Sequence, residues 1–206
     1  MGSEMCIRDR SHIGITLAET LLSFLLVTGI SAAAAVLLWL FPRFAEVSEP
    51  YMVILNSLPK SALAPLLIVW LGAKMRTIIV AGMSVALFGS IMSLYAGFRE
   101  TDPDMVKLVQ TLGGGKSACL LKVVLPSSVP YLLSTFKVNI GLCLVGVVIG
   151  EFIGARKGLG YLIIYGSQVF KLNMVILSIV ILCAIAAALY GLLGLLEKRY
   201  LRESEG

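Results

Sequence analysis

An all-α integral membrane fold, with about five membrane-crossing helices and a helix–glycine–helix loop on the cytoplasmic side, is what this sequence predicts. Three observations carry that expectation. The 206 residues are 58% hydrophobic and only 14% charged, with a mean hydropathy of +0.95. A soluble domain is about half apolar and about a quarter charged, so this chain lacks the polar surface to cover a water-soluble globule. The apolar residues also lie in long blocks rather than scattered, and one polar stretch between two blocks carries its own helix start and stop signals.

A helix needs about 20 apolar residues to cross the hydrocarbon. The first candidate runs from about Ile13 to Phe41, uncharged from Thr20 onward, and Pro42 ends it. The second runs from about Tyr51 to Leu71, and Pro59, Lys60 and Pro65 predict a kink or break in it. The third, Thr77 to Phe98, carries no charge. The fourth runs from about Ser127 to Phe152, with Lys137 inside and Glu151 near its end. A glycine-rich ARKGLGYLI and a short amphipathic piece lead to the fifth, Met174 to Leu196. Residues 1–10, MGSEMCIRDR, fit neither a signal peptide nor a helix and are set aside as a non-native or disordered remnant. One transmembrane domain, 11–202, then precedes a tail at 203–206, and the terminal EKRYLRESEG reads as charged and solvated.

The net charge of +5 does not indicate a nucleic-acid binder, because the basic residues stand singly at segment ends, as membrane helices carry them. Placing Arg99–Pro126 and the tail in the cytoplasm gathers Arg43, Arg99, Lys107, Lys116, Lys122, Lys198, Arg199 and Arg202 there. The other side then holds Lys74, Arg76, Arg156, Lys157 and Lys171, a modest bias in the expected direction. Cys6, Cys119, Cys143 and Cys183 form no C-x-x-C pair and read as small buried hydrophobes. His12 is the only histidine, which excludes a His-based metal site or triad.

The informative stretch is TDPDMVKLVQTLGGGKSACLLKVVLPSSVP, Thr101 to Pro130, within a loop of about 99–126. Asp102 before Pro103 starts a helix with an oxygen cap and a first-turn proline. Met105, Leu108, Val109 and Leu112 follow at i, i+3, i+4 and i+7, a single apolar face, with Lys107 off it. Gly113-Gly114-Gly115 stops that helix, and a second piece, Ser117 to Val124, ends before Leu125-Pro126. Such a loop suits either a headgroup-layer element or a rigid knob for a cytoplasmic partner. Gly115-Lys116-Ser117 imitates the end of a phosphate-binding loop, but Gln110 stands where that motif needs glycine, and a helix precedes it instead of a strand.

These residues resemble the cytoplasmic loop of binding-protein-dependent ABC importer permeases, whose pattern is E-A-A, three residues, G, nine residues, I, one residue, L-P. Gly113 takes the glycine, Val123 the isoleucine and Leu125-Pro126 the L-P, while Lys107, Leu108 and Val109 replace E-A-A. Asn56–Gly72 (NSLPKSALAPLLIVWLG), Tyr95–Pro103, Val123–Leu133 and Gly150–Ile163 (GEFIGARKGLGYLI) are similar to the nitrate/sulfonate/taurine branch, over roughly Ser11 to Arg202. That resemblance implies the type I importer permease fold, usually of six spans, of which this chain lacks the first. It implies a permease working as a homodimer in the bacterial inner membrane, with two ATPase subunits below and an extracytoplasmic solute-binding protein outside. ATP and Mg would sit on the ATPase, and this chain would bind no cofactor and catalyse nothing itself. The resemblance assigns Met105, Leu108, Val109 and Leu112 as the docking face, Gly113 as the bend and Pro126 as the stop before the next span.

A transport path is expected from polar residues inside spans, namely Asn56, Ser57, Ser84, Ser90, Ser134 and Asn139, which equally suit helix-to-helix hydrogen bonding. The alternative transporter is driven by an ion gradient and keeps ionisable groups within its spans; here only Lys137 and Glu151 qualify. The sequence shows no paired intramembrane carboxylates and no constellation suited to an enzyme.

Overall fold

The computed structural model describes the backbone of residues 2–204 and the side chains of residues 11–199, position 196 excepted. Among the described residues every regular element is helical. The chain runs through α1 (Gly2–Leu40), α2 (Pro42–Ser57), α3 (Lys60–Leu71), α4 (Met75–Arg99), α5 (Pro103–Thr111) and α6 (Lys116–Cys119). A π-turn (Leu120–Val124) leads to α7 (Leu125–Ser127), α8 (Val129–Gly154), α9 (Leu159–Gln168) and α10 (Leu172–Ser204).

Among the described residues, four helices are long and apolar enough to cross a membrane: Ser11–Leu40, Met75–Arg99, Val129–Gly154 and Leu172–Arg199. A fifth span arises if the bent pair α2–α3 counts as one. Pro42 ends α1 and opens α2, where its missing N–H costs nothing. The helix that carries the second apolar block therefore begins at Pro42 rather than at Tyr51. It breaks at Pro59, which sits extended (φ −68°, ψ 100°) at the head of α3, whereas Pro65 lies inside α3 without ending it. The two halves meet at 90°.

Two expectations at the chain ends need correction. The backbone of residues 2–10 is helical and continuous with α1, since extending an existing helix avoids the cost of nucleation. The terminal segment is likewise helical, as α10 runs to Ser204. Within it Glu197 is not simply solvated. It forms an ion pair with Lys137 of α8, and both side chains are about one-fifth exposed.

The contacts divide the chain into two compact units. The first holds residues 1–27, 58–86 and 139–192. Its centre is Val27, Ala86 and Cys143, with Phe24, Met83 and Leu142 packed around them. Here α4 and α8 touch through glycine, because lipid offers no hydrophobic drive and close backbone approach supplies the packing instead. A Cβ on Gly146 would lie 2.8 Å from the Gly82 Cα and 3.0 Å from the Ala81 carbonyl oxygen. Gly146→Val is therefore expected to destabilise this unit by about 1–3 kcal/mol. Gly141→Ala, which meets open space on the same helix, is expected to be neutral or slightly stabilising. Thermal unfolding of the two variants in detergent checks the pair.

The second unit holds residues 28–57, 87–138 and 193–206. Ala35, Leu94, Phe98, Leu120 and Val124 form one core and Leu38, Ala45 and Ile91 another. Leu120 and Val124 tie the polar loop to this unit rather than leaving it hanging.

Candidate functional site

The loop between α4 and α8 is built as its sequence anticipates at the front and differently at the back. The Asp102 side chain accepts the Asp104 backbone N–H at 2.9 Å, and Pro103 occupies the first turn of α5. The helix ends at Leu112, and Gly113 takes φ +84°, a left-handed conformation that glycine adopts without a Cβ penalty. The next residue, Gly114, returns its N–H to the Val109 carbonyl at 2.9 Å, closing the end of the helix.

The apolar face divides in two. Met105, Leu108 and Leu112 are exposed, Leu112 by 80%. Val109 is half-buried against Gly114. Val106, off the predicted face, packs on the core with Phe98 and Leu120. The helix thus anchors itself with valines and presents three long side chains outward. Lys107 lies beside them, paired to Asp104 at 3.0 Å in solvent.

Pro126 does not end the second piece. The path stays helical from Lys116 through the π-turn and α7, and the Leu125 N–H reaches back five residues to the Leu120 carbonyl. This wider ring relieves the clash that a proline ring makes with the carbonyl four residues earlier. Of the remaining loop residues, Val123 and Leu125 are half-buried, and Leu125 packs on the core that holds Leu120 and Val124. The exit is fixed by the Ser128 hydroxyl to the Gly97 carbonyl (3.4 Å), Thr101 to Ser127 (3.2 Å) and the Tyr131 hydroxyl to Glu100 (3.4 Å). Gly115-Lys116-Ser117 opens a four-residue helix preceded by α5, so the strand that a phosphate-binding loop requires is not there.

The Ser57 and Ser84 hydroxyls bond the Val53 and Ala81 carbonyls of their own helices, at 2.9 and 2.8 Å. Ser90 bonds Ser31 of α1 at 3.1 Å. Asn56 is half-buried beside Gly89, and Asn139 is buried in the first unit.

A second polar cluster, in the first unit, was not anticipated. Glu19 of α1 and Glu151 of α8 are buried, 1% and 0% exposed, and the Glu19 Oε2 has no hydrogen-bond partner. Glu19 joins Lys137 and Glu151 as an ionisable group within a span. Glu151 accepts the Thr16 hydroxyl at 2.7 Å and the Gly160 N–H at 2.6 Å. Thr16 in turn accepts the Leu159 N–H at 2.9 Å. The His12 Nδ1 accepts the Gly158 N–H at 2.9 Å and lies 3.2 Å from the Gly158 carbonyl oxygen. His12 stacks on Tyr161, with ring centroids 6.2 Å apart. Three successive amides of the α8–α9 connection are thus taken up by side chains of α1 and α8. The only sequence signal was a Thr and a Glu at i and i+3 before an apolar run, a pattern that helix ends produce often.

Several long apolar helices and a broken span, with an exposed apolar helix between two of the spans, define a multi-pass membrane protein. Residues 26–202 match the family described as binding-protein-dependent transport system inner membrane component, and the chain belongs to that family. A probable ABC transporter permease protein of Haemophilus influenzae is 30% identical over 92% of this chain and 78% of its own length. A putative aliphatic sulfonates transport permease of Bacillus subtilis is 26% identical, covering 93% of this chain and 69% of its own. A taurine transport system permease of Escherichia coli is 23% identical, over 91% and 68%. Among solved structures, an inward-facing form of the MetNI methionine ABC transporter superimposes with a TM-score of 0.80 over 98% of both chains, at 18% identity, which establishes the shared fold. The chain is a permease subunit of an ABC importer.

Proposed function

We propose that this permease passes a small anionic or organosulfur/nitrogen solute of the nitrate, sulfonate or taurine kind, and that it takes its power through α5. The observation that carries the coupling reading is the exposed trio Met105, Leu108 and Leu112 on a helix anchored at both ends. In this reading the trio, with Lys107 at its edge, seats in a cleft of a separate ATPase subunit. That subunit holds ATP and Mg, and two such subunits serve a pair of permease chains. A solute-binding protein delivers the solute from outside, and Asn56, Ser57, Ser84, Ser90 and Asn139 contribute to the route. Sulfonate and taurine specificity is supported by the names of relatives at 26% and 23% identity. Family membership favours this reading over an ion-gradient-driven transporter.

Affinity purification of the tagged chain in gentle detergent, followed by mass spectrometry, is expected to bring down an ATPase subunit. An intact chain recovered alone would overturn the coupling reading. Uptake of labelled taurine and of an alkanesulfonate in cells, with and without the gene, tests the solute class, and unchanged uptake of both would exclude it.

Gly113→Val separates the bend from the docking face. A β-branched residue at φ +84° costs on the order of 1–2 kcal/mol and drives α5 to re-aim its end. The expected result is a complex that still assembles and hydrolyses ATP while solute uptake falls by about tenfold. Normal uptake would remove Gly113 from the coupling mechanism.

A further inference from the structure

Within the first unit, α9, its connection to α10 and the start of α10 enclose a cavity of about 480 Å³. That volume suits a small molecule. Leu159 and Leu162 of α9, with Leu177 and Ile181 of α10, give it an apolar wall. Two polar groups interrupt the wall. Ser178 lines the cavity and is 3% exposed, yet its hydroxyl makes no hydrogen bond among the described residues. A helical serine commonly returns its hydroxyl to a carbonyl of the preceding turn, as Ser48 and Ser57 do here. Lys171 is the one charged residue among the described residues that line the cavity, and it has no ion-pair partner among them.

The backbone at the edge of the cavity is strained. Phe170 lines it, is 90% exposed, and takes φ +56°, the one positive φ outside glycine among the described residues. Here α9 closes by returning the Lys171 N–H to the Gly166 carbonyl at 2.8 Å, a helix ending whose left-handed position glycine usually fills. An aromatic residue there costs stability, and strain of this kind gathers at ligand sites.

We infer that this cavity binds an anion with a short alkyl tail, an alkanesulfonate. Lys171 supplies the positive charge for the head and Ser178 an unclaimed hydroxyl donor. Lys171 stands at the turn that opens α10, and Ser178 follows about two turns below it. The flexible four-carbon stem of a lysine lets its ammonium reach toward that depth. The leucines of α9 and α10 take the tail, and Phe170 covers it at the edge. Nitrate has no tail to place. Taurine would bring its ammonium against an apolar wall where no carboxylate stands among the described lining residues. The assignment deepens, and rests on, the solute class proposed above, from which it selects the alkanesulfonate.

The complex that the tagged chain brings down is placed in phosphatidylcholine nanodiscs, its natural cysteines replaced by alanine and Leu162→Cys added as a reporter on the α9 wall. The rate at which a small maleimide modifies that cysteine is followed against butanesulfonate, methanesulfonate, taurine and nitrate. Butanesulfonate is expected to half-protect at a concentration lower than methanesulfonate by about tenfold or more, from its three added methylenes. Taurine and nitrate should protect no better than methanesulfonate. Lys171→Gln and Ser178→Ala should each raise the half-protecting concentration of butanesulfonate by about fivefold or more. Phe170→Gly relieves the backbone, so protection should weaken while the melting temperature holds or rises, a split that a merely structural phenylalanine would not give. Equal protection by methanesulfonate and butanesulfonate overturns the site, as does protection indifferent to Lys171→Gln and Ser178→Ala. A cysteine that resists the maleimide before any solute is added means that lipid or a second copy fills the cavity, and also overturns it. Should Leu162→Cys fail to assemble, Leu177→Cys on the α10 wall takes its place. Cellular uptake separates the site from the solute class. Uptake of butanesulfonate without protection keeps the class and overturns the site, whereas protection without uptake of any sulfonate keeps the site and removes the class.

Discussion

Leu108→Asp combined with Leu112→Asp is expected to strip the ATPase from the purified complex while the permease stays inserted and folded. Both side chains are exposed, 56% and 80%, and neither belongs to the packed cores, so the substitution spares the chain's own stability. At an interface the same residues would each contribute about 1.5–3 kcal/mol by burial. Aspartate replaces that gain with a charge that must be stripped of water. Together the losses amount to about 10²–10⁴-fold in affinity, enough to empty a pull-down. Co-purification and detergent melting are measured side by side. Loss of the ATPase with an unchanged melting profile supports docking through α5, and full retention would move the docking surface elsewhere. Lys107→Ala is the companion control: its pair with Asp104 lies in solvent and is worth little, so only a small decrease is expected.

Gly158→Val is expected to be the most damaging single change outside the spans' own glycine contacts. Two effects coincide there. The backbone sits at φ +113°, where a side chain is strained, and any Cβ falls on the Glu151 carboxylate. Left-handed strain alone is worth about 1–3 kcal/mol. Expelling Glu151 also leaves the Thr16 hydroxyl and the Gly160 amide without their acceptor, at about 1–3 kcal/mol for each buried group. A loss of several kcal/mol corresponds to an apparent melting temperature lower by on the order of 10 °C or more. Thermal unfolding of the purified variant measures it. A shift of a degree or two would mean that the loop relaxes freely and that its wrapping of Glu151 carries little energy.

What the sequence made legible follows from where its signals are local. Pro42 and Pro59 break helices through backbone geometry that no tertiary partner changes, and both breaks fall as expected. The Asp102-Pro103 start and the Gly113 stop of α5 are of the same kind. The division of the α5 face was not legible, because the i, i+4 spacing that groups Val109 with Met105 does not say which part of an apolar stripe the rest of the chain covers. Pro126 misled because a proline signals a stop only in a regular helix, and a π-turn absorbs it. The buried cluster around Glu151 was hidden by distance, since Thr16 and Glu151 lie 135 residues apart and Glu19 sat at the edge of a stretch read as uncharged. No local rule brings such residues together.

The last helix behaves unlike the other spans in one respect. Only 6% of the membrane window of α10 is buried by the rest of the chain, against 33–44% for the other three long spans. Most of what touches α10 is therefore solvent in the broad sense, whether lipid, detergent or a neighbouring protein, and its preferred position is set by the composition of that surrounding phase. Transfer between bilayers of different thickness, or from bilayer to micelle, acts first on this helix. Through the ion pair of Glu197 with Lys137, a change in the fatty-acid phase has a direct mechanical route to α8.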